Sequence, residues 1–496
     1  MTSAAMSKSD SSVDEKSIQS VGVAEAAIPG YIIDPEAEKR LLRKLDWRLL
    51  PLATAIICLN FIDRAAIGNA KIAGLERDLG MAGYDFNIAL TVFYVFFVVS
   101  EVPSNLLLKR FGTVILAITV IGFGLCTLGS AFVTSYDGLI ATRVFLGISE
   151  GGTLPGLTYV LARYYRKKEF VLRLSVFFGV APSLAGAFGG LLASGLLKVG
   201  DFGTIKSWRK IFFIEGLLTI VVGIACLYLL PADPRTTKMF NEEERALALA
   251  RIDADSVVKN QGKKEKATWK LVWRAFNFNT ILCSLVYLLL NISFQGLLLF
   301  MPTVIAGLGR FTVVMSQLRT VPPFLTAAVW GLIFCYLGLR LRKHAVVMLA
   351  TMPLVVIGYA ISIGTTNADA RYAACFLVIA GAIPTGPIVY AWGVGNSAPD
   401  TVRAVTTGII PGVGAIGSII AVWTYLPFDA PNYRTGNTLN LATSSTIIVV
   451  IIIGMVYITW ENAKRERGER DYRLENKSEE EIEQLGYLHP QFRYTL

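Results

Sequence analysis

Residues 49–69 read LLPLATAIICLNFIDRAAIGN, a run in which Asp63 and Arg64 are the only charges. At about 1.5 Å of rise per residue such a run matches the ~30 Å hydrocarbon layer of a bilayer. Charges at that depth cost several kcal/mol, so they face a protein interior and mark a substrate or proton path. The same contradiction recurs in GLIATRVFLGISEGGTLPGLTYVLA, residues 138–162, which carries Arg143 and Glu150. Those two are seven residues apart and share one helix face. Gly147 and Gly151 follow the same stripe and leave room for a ligand or a close helix.

Working outward, ten more runs of this kind occur, at about 87–108, 112–133, 173–197, 208–231, 277–301, 317–339, 345–364, 370–394, 404–426 and 437–460. With 53% hydrophobic and 17% charged residues the chain is not a water-soluble globule. The reading is an all-α polytopic membrane protein of twelve transmembrane helices arranged as two six-helix bundles, 36–231 and 277–460. A charged stretch, 232–276, joins the halves as a cytoplasmic linker, and 461–496 forms a cytoplasmic tail. Residues 1–35 are too polar to fold alone and are expected to be disordered. At their end, Asp34-Pro35 followed by Glu36 and Glu38 reads as an N-cap with proline at N1, opening a short amphipathic helix. No signal-peptide pattern occurs, so the first span is expected to direct insertion.

The even-numbered loops and both termini hold 35 of the 47 Lys and Arg, the odd-numbered loops 10. That bias places both termini in the cytoplasm. The net charge of +10 is then a topology signal with an affinity for anionic lipid, not a nucleic-acid patch, since the charge is scattered over loops. All six cysteines, Cys58, Cys126, Cys226, Cys283, Cys335 and Cys375, fall inside spans and read as small apolar residues. The two histidines, His344 and His489, have no neighbour at metal-ligand spacing. No metal, cofactor or catalytic residue is expected, and membrane-embedded enzymes that need clustered imidazoles are excluded.

By helical rise, Asp63, Arg64 and Arg143 sit at one level in the outer half of the bilayer, with Glu150 one to two turns deeper. The four charges are expected to line one polar column. Their bland alternative is a pair of structural salt bridges, but desolvation usually offsets what a buried ion pair contributes to stability. The carboxyl half adds neutral groups: Asn291 and Gln295, four apart on one face of the seventh span, are read as substrate contacts or as inter-helix hydrogen bonds. Pro384 and Pro387 remove backbone donors from the tenth span and offer a hinge or gate. Glycines concentrate in the fifth and eleventh spans, where they permit close helix approach. Glu215, after Trp208-Arg209, reads as an anchor of helix packing.

Three strings in the amino half carry a family resemblance: Asn60 to Arg64 (NFIDR), Glu101 to Gly112 (EVPSNLLLKRFG) and Arg143 to Gly151 (RVFLGISEG). The chain resembles the major facilitator superfamily, and within it the anion:cation symporters. The downstream strings LRTVPP from Leu318, APDTVR from Ala398, WTYLP from Trp423, DAPNY from Asp429 and WENAK from Trp460 resemble the fungal allantoate and nicotinate permease branch. The resemblance implies proton coupling by Asp63 and Glu150 and anion binding by Arg64 and Arg143. Residue chemistry agrees: arginine stays charged and offers a planar fork to a carboxylate, whereas a desolvated carboxylate can exchange its proton near neutrality. One departure concerns the loop after the second span, where Asn105 and Lys109 stand in place of the usual Gly and Asp. Glu101 is therefore expected to replace that Asp at an inner gate, pairing with Arg110, Arg163 or Arg403.

The expectation is a monomeric symporter that takes up a small organic anion (nicotinate, allantoate or a similar carboxylate) with protons, in a fungal plasma membrane. Export of a secondary-metabolite acid, transport across a vacuolar membrane, and a non-transporting nutrient sensor are the alternatives. Intact acids and arginines speak against the sensor.

Overall fold

The computed structural model describes residues 34–496 except 202, 204, 232, 261–267, 310, 342, 476, 479, 480, 483 and 484. Residues 1–33, and with them the expected disordered terminus, lie outside the described residues. Every regular element among those described is helical.

Twelve crossings follow one another: α1 Pro35–Ile72, α2 Asp85–Phe111, α3 Thr113–Ser130, α4 in two pieces, Tyr136–Glu150 and Thr153–Ala162, α5 Lys167–Lys198 and α6 Arg209–Leu229. The second half has α7 Phe278–Ala306, α8 in two pieces, Val313–Leu318 and Val321–Leu341, α9 His344–Gly364, α10 Ala368–Gly395, α11 Asp400–Val422 and α12 Arg434–Glu466. Ten of these segments are long and apolar enough to cross a membrane on their own; the remaining two crossings are α2 and the broken α4.

Local chemistry accounts for the boundaries. Asp34 caps α1 by accepting from the backbone N–H of Glu36 (3.1 Å) and Ala37 (3.3 Å), with Pro35 at the first helical position. The expected short amphipathic helix is not separate: it runs without interruption into the first span. The break in α4 falls at Gly151-Gly152. Pro155 lacks the N–H that the Gly151 carbonyl would need, and its ring would clash there, so the helix restarts. The tenth span instead stays helical through Pro384 and Pro387.

In the amino half α1 packs on α5, α2 on α4 and α3 on α6; in the other half α7 packs on α11, α9 on α10, and α12 on both α7 and α9. The two bundles meet through α1 with α7, α2 with α11, and α5 with α8 and α10. On the face opposite the termini, here the far face, they are bonded together. Asn87 Nδ2 donates to the Val422 carbonyl (2.7 Å), Trp423 Nε1 to Thr91 Oγ1 (3.0 Å), Gln317 Nε2 to the Asn69 carbonyl (3.3 Å) and, deeper, Gln295 Nε2 to Tyr94 Oη (2.8 Å). Lys71 lies over the Phe86 ring at 4.2 Å and the Phe300 ring at 5.3 Å, with Glu76 Oε1 at 3.2 Å from its ammonium. Glycines allow the approach. A Cβ at Gly68 would lie 2.1 Å from the Leu299 carbonyl oxygen, and one at Gly190 2.2 Å from Thr320 Oγ1.

The linker does not behave as one unit. Its helix Glu242–Asn260 is tied to the amino bundle: Arg251, 1% exposed, donates to Glu38 (2.7 Å) and to both Glu169 oxygens (2.7 and 2.8 Å). Lys44 pairs with Glu244 at 2.7 Å, and Arg163 with Asp233. Burial pushes the Glu244 carboxyl up, but the Lys44 ammonium and the Asn241 N–H hold it below the ordinary value. The helix Trp269–Arg274 belongs with the other half, where Arg274 donates to the Leu485 carbonyl (2.5 Å) and accepts from Tyr487 Oη (3.1 Å). The tail is also built in: Trp392 Nε1 and Asn396 Nδ2 both donate to the Thr495 carbonyl at 2.9 Å.

Candidate functional site

The predicted charges converge. Arg64 on α1 donates from Nε to Glu150 Oε2 on α4 at 3.0 Å, and the Glu150 side chain is fully buried. The bonded partner of Glu150 is therefore Arg64, not its helix neighbour Arg143. The rotation of α1 explains this, because successive residues on a helix point about 100° apart and Asp63 faces away from the centre. Three rings enclose the Arg64 guanidinium: its Cζ lies 4.6 Å from the Phe97 centroid, 5.4 Å from Phe61 and 5.7 Å from Phe93. No sequence signal assigned these rings, although Phe93 and Phe97 stand four apart and share a helix face with the α1 contact.

Behind this pair lie Asp63, 1% exposed, and Arg143, 2% exposed. Neither Asp63 oxygen has a hydrogen-bond partner, and neither do Nε and Nη2 of Arg143. Arg143 Cζ sits 5.3 Å over the Phe212 ring of α6. Gly147 and Gly151 leave no ligand space: a Cβ there would meet the Phe93 and Phe97 carbonyls of α2 at 2.4 and 2.3 Å, so they serve close helix contact.

A cavity of about 100 Å³ opens between the bundles against this cluster. Asn60, Arg64 and Glu101 face it from the amino half, and Asn291, Gln295, Pro387 and Ser418 from the other. Phe61, Phe97, Tyr287 and Phe294 supply flat apolar walls. Arg64 is thus the arginine exposed to this space. Arg143 borders instead a much smaller one, about 10 Å³, shared with Tyr94 and Leu299. Gln295 is partly committed to Tyr94 across the bundles; Asn291 Nδ2 donates to the Tyr287 carbonyl of its own helix at 2.9 Å, and its Oδ1 accepts from Ser418 Oγ of α11 at 3.5 Å. The inter-helix reading of these amides therefore holds together with their position on the wall.

The expected gate is not assembled in this conformation. Glu101, 8% exposed, borders the cavity, with its Oε2 3.8 Å from where a Cβ at Gly412 of α11 would stand. Among the described residues it pairs with neither Arg110 nor Arg163: Arg163 is held by Asp233, and Arg110 lies against the Phe111 ring. Arg403 donates to the Ser397 carbonyl at 3.1 Å. The Lys109 side chain lies outside what is described. Pro384 is buried in α10, one turn from Pro387. Packing around the start of α6 comes from Trp208, which donates to Asp78 (2.9 Å), and from Arg209, which donates to the Ala131 carbonyl (2.9 Å). Glu215 is packed between helices but holds them by no polar bond: both its oxygens are buried without a hydrogen-bond partner.

Residues 53–422 match the Major Facilitator Superfamily. An uncharacterized transporter of Schizosaccharomyces pombe is 32% identical over 444 residues, covering 88% of this chain and 86% of that one. The MFS-type transporter efuF of Hormonema carpetanum is also 32% identical, over 450 residues and 90% of each chain. Among solved structures, a bacterial homolog of the human lysosomal transporter Spinster, inward-facing and unoccupied, superposes with a TM-score of 0.61 at 16% identity. That likeness covers 84% of this chain and 96% of that one. Twelve crossings in two bundles, a central polar cavity and this match over most of the chain have one meaning: the chain is a membrane transporter that belongs to the major facilitator superfamily.

Proposed function

We propose that this transporter takes up a small organic carboxylate together with protons by alternating access between its two bundles. The observation that carries the reading is the Arg64–Glu150 pair on the cavity wall. An arginine facing the substrate space is held by a buried carboxylate at 3.0 Å. A proton added to Glu150 cancels the attraction and frees the guanidinium fork for the carboxylate of an incoming anion. Loss of that proton restores the pair and expels the anion. The anion and the Glu150 carboxylate thus compete for one arginine, and the proton removes the competitor, so proton and anion bind together, which is the coupling a symporter needs.

In this reading Asp63 is the second proton site and Arg143 supports the anion field from behind Arg64. Asn60, Asn291, Gln295 and Ser418 offer neutral hydrogen bonds, and the aromatic walls suit a flat ring such as that of nicotinate. Closure of the near face would carry Glu101 on α2 toward Arg403 on α11, with Lys109 and Arg110 at the loop and Pro384 and Pro387 letting α10 bend. The fungal origin of the two relatives suits a fungal plasma-membrane protein, and the bias of Lys and Arg toward the even-numbered loops and termini suits cytoplasmic ends.

Uptake of a radiolabelled carboxylate panel by cells expressing the chain tests this. A protonophore or an external pH of about 8 should strongly depress accumulation against a gradient, because either removes the inward proton gradient that would drive it. Nicotinamide should compete poorly beside nicotinate. Glu150→Gln should retain binding and counterflow yet lose gradient-driven accumulation. Accumulation that follows sodium, or equal competition by acid and amide, refutes the proposal.

A further inference from the structure

Glu215 of α6 is an acidic side chain in the membrane interior, 1% exposed, and neither oxygen has a hydrogen-bond partner. Asp63, a like charge equally buried and unpartnered, comes from α1, which packs on α6. Among the described residues, the other helices packed on α6 bring no cation to it. From α3 come the Thr127 hydroxyl and the Cys126 thiol, which face Asp63 and Arg143. α5 carries no charge between Arg173 and Lys198. On α4, Arg143 leans on Phe212, and Glu150 is bonded to Arg64. On α6 itself, Arg209 donates to the Ala131 and Val133 carbonyls, and Lys210 to the Val199 carbonyl and Asp201.

Charge balance then decides the protonation state. The cluster holds three carboxylates, Asp63, Glu150 and Glu215, against two guanidiniums, Arg64 and Arg143. Fully ionised it would carry one uncompensated negative charge in a dry interior, which costs far more than binding a proton. Glu150 has its arginine. Asp63 and Glu215 are the two left without a bonded cation, on helices that pack together, and with one positive charge to balance them they cannot both ionise.

We propose that Glu215 is a third proton-binding carboxylate of this transporter, holding one proton jointly with Asp63 behind the Arg64–Glu150 pair. The proton resides on one of the two carboxyl groups while the other keeps the negative charge that balances Arg143. The placement stands on burial and charge count. Its consequence for transport, a cluster that can bind one proton more than Asp63 and Glu150 provide, rests on the proton-coupled reading above.

Infrared spectroscopy of the full chain in lipid at pH 7, with no substrate present, tests the site directly. The wild type should show the carbonyl stretch of a neutral, hydrogen–deuterium-sensitive carboxylic acid. Glu215→Gln and Asp63→Asn should each remove this pair's part of that signal, leaving only what Glu101 contributes, because either leaves two carboxylates for two guanidiniums. Superimposable spectra of Glu215→Gln and the wild type would overturn the proposal, as would a full-sized signal in Asp63→Asn. Should Glu215→Gln fail to fold, Glu215→Asp retains the acid at a different reach and must shift the band; an unshifted band refutes the assignment equally. A transporter that moves its substrate without protons would still show the signal, so failure of coupling and failure of this site are separate results.

Discussion

Replacing Gly68 with alanine should open the far face. Gly68 on α1 presses on the backbone of α7, and an added Cβ would stand 2.1 Å from the Leu299 carbonyl oxygen and 3.3 Å from its carbon. The obstacle is helical backbone, which cannot rotate away as a side chain tip does, so the helices must separate by about 1 Å to recover an ordinary packed contact. Inserting a methyl group into a packed contact costs typically about 1–3 kcal/mol. The cost falls only on the state in which α1 and α7 touch here, so it shifts the equilibrium between states by roughly 5- to 150-fold. A single cysteine at Ala415, on the cavity wall, reports this in a background with the native cysteines replaced. A membrane-impermeant maleimide supplied to the far face should label the Gly68→Ala transporter faster by that factor. Gly408→Ala, where nothing lies within 4 Å of the new Cβ, is the control and should leave the rate unchanged. Equal labelling of Gly68→Ala and the parent refutes the reasoning, since the contact would then not govern closure.

Tyr94→Phe removes the acceptor of the bond that Gln295 donates across the bundles at 2.8 Å, stranding a buried amide at about 1–3 kcal/mol. It should raise far-face labelling in the same direction. Arg251→Met strips Glu169 of its cation and leaves Glu38 with Arg166 alone, at 2.8 Å. Breaking a fully buried pair costs about 3–5 kcal/mol, but these carboxylates are partly solvated, so a loss of about 1–3 kcal/mol is expected in thermal unfolding. The Lys44–Glu244 contact gives a pH dependence of defined sign. Because the folded state holds Glu244 below its ordinary value, the contribution is present above the ordinary carboxylate range and is lost as pH falls through the lowered value. Melting curves of wild type and Lys44→Met should therefore differ near neutrality and converge in acid.

The membrane architecture and four residues of the buried charge cluster were legible because they break a rule: Asp63, Arg64, Arg143 and Glu150 are charges within apolar runs, and such runs tolerate few. Asp34-Pro35 was legible for a local reason, since capping depends on residues within one turn. What resisted reading was every pairing between helices. Whether Glu150 meets Arg143 or Arg64 depends on the rotation of α4 against α1, and apolar surfaces of similar hydropathy do not encode that angle. The rings around Arg64 are three phenylalanines among 27, and nothing in their spacing separates a cation's enclosure from ordinary packing. Glu215 was misread for the same reason: the Trp208-Arg209 motif beside it does anchor packing, but that role stops a turn before the acid. The gate around Glu101 depends on which end of the transport cycle is viewed, and here the far face is the closed one.

The clamping of Arg251 to Glu38 and Glu169, set beside the seating of Arg274 on Leu485 and Tyr487, shortens the mechanical joint of the molecule. Most of the central stretch travels as cargo of one bundle or the other when the halves rock, and between Arg251 and Arg274 the chain passes from one set of contacts to the other. A covalent bond there carries no load that the helix contacts do not already share. Two separately translated pieces, ending and beginning within that interval, should therefore find each other in the bilayer and transport as the single chain does. In this protein the order of the bundles along one polypeptide serves delivery in equal number, and the motion itself is left to the surfaces that meet.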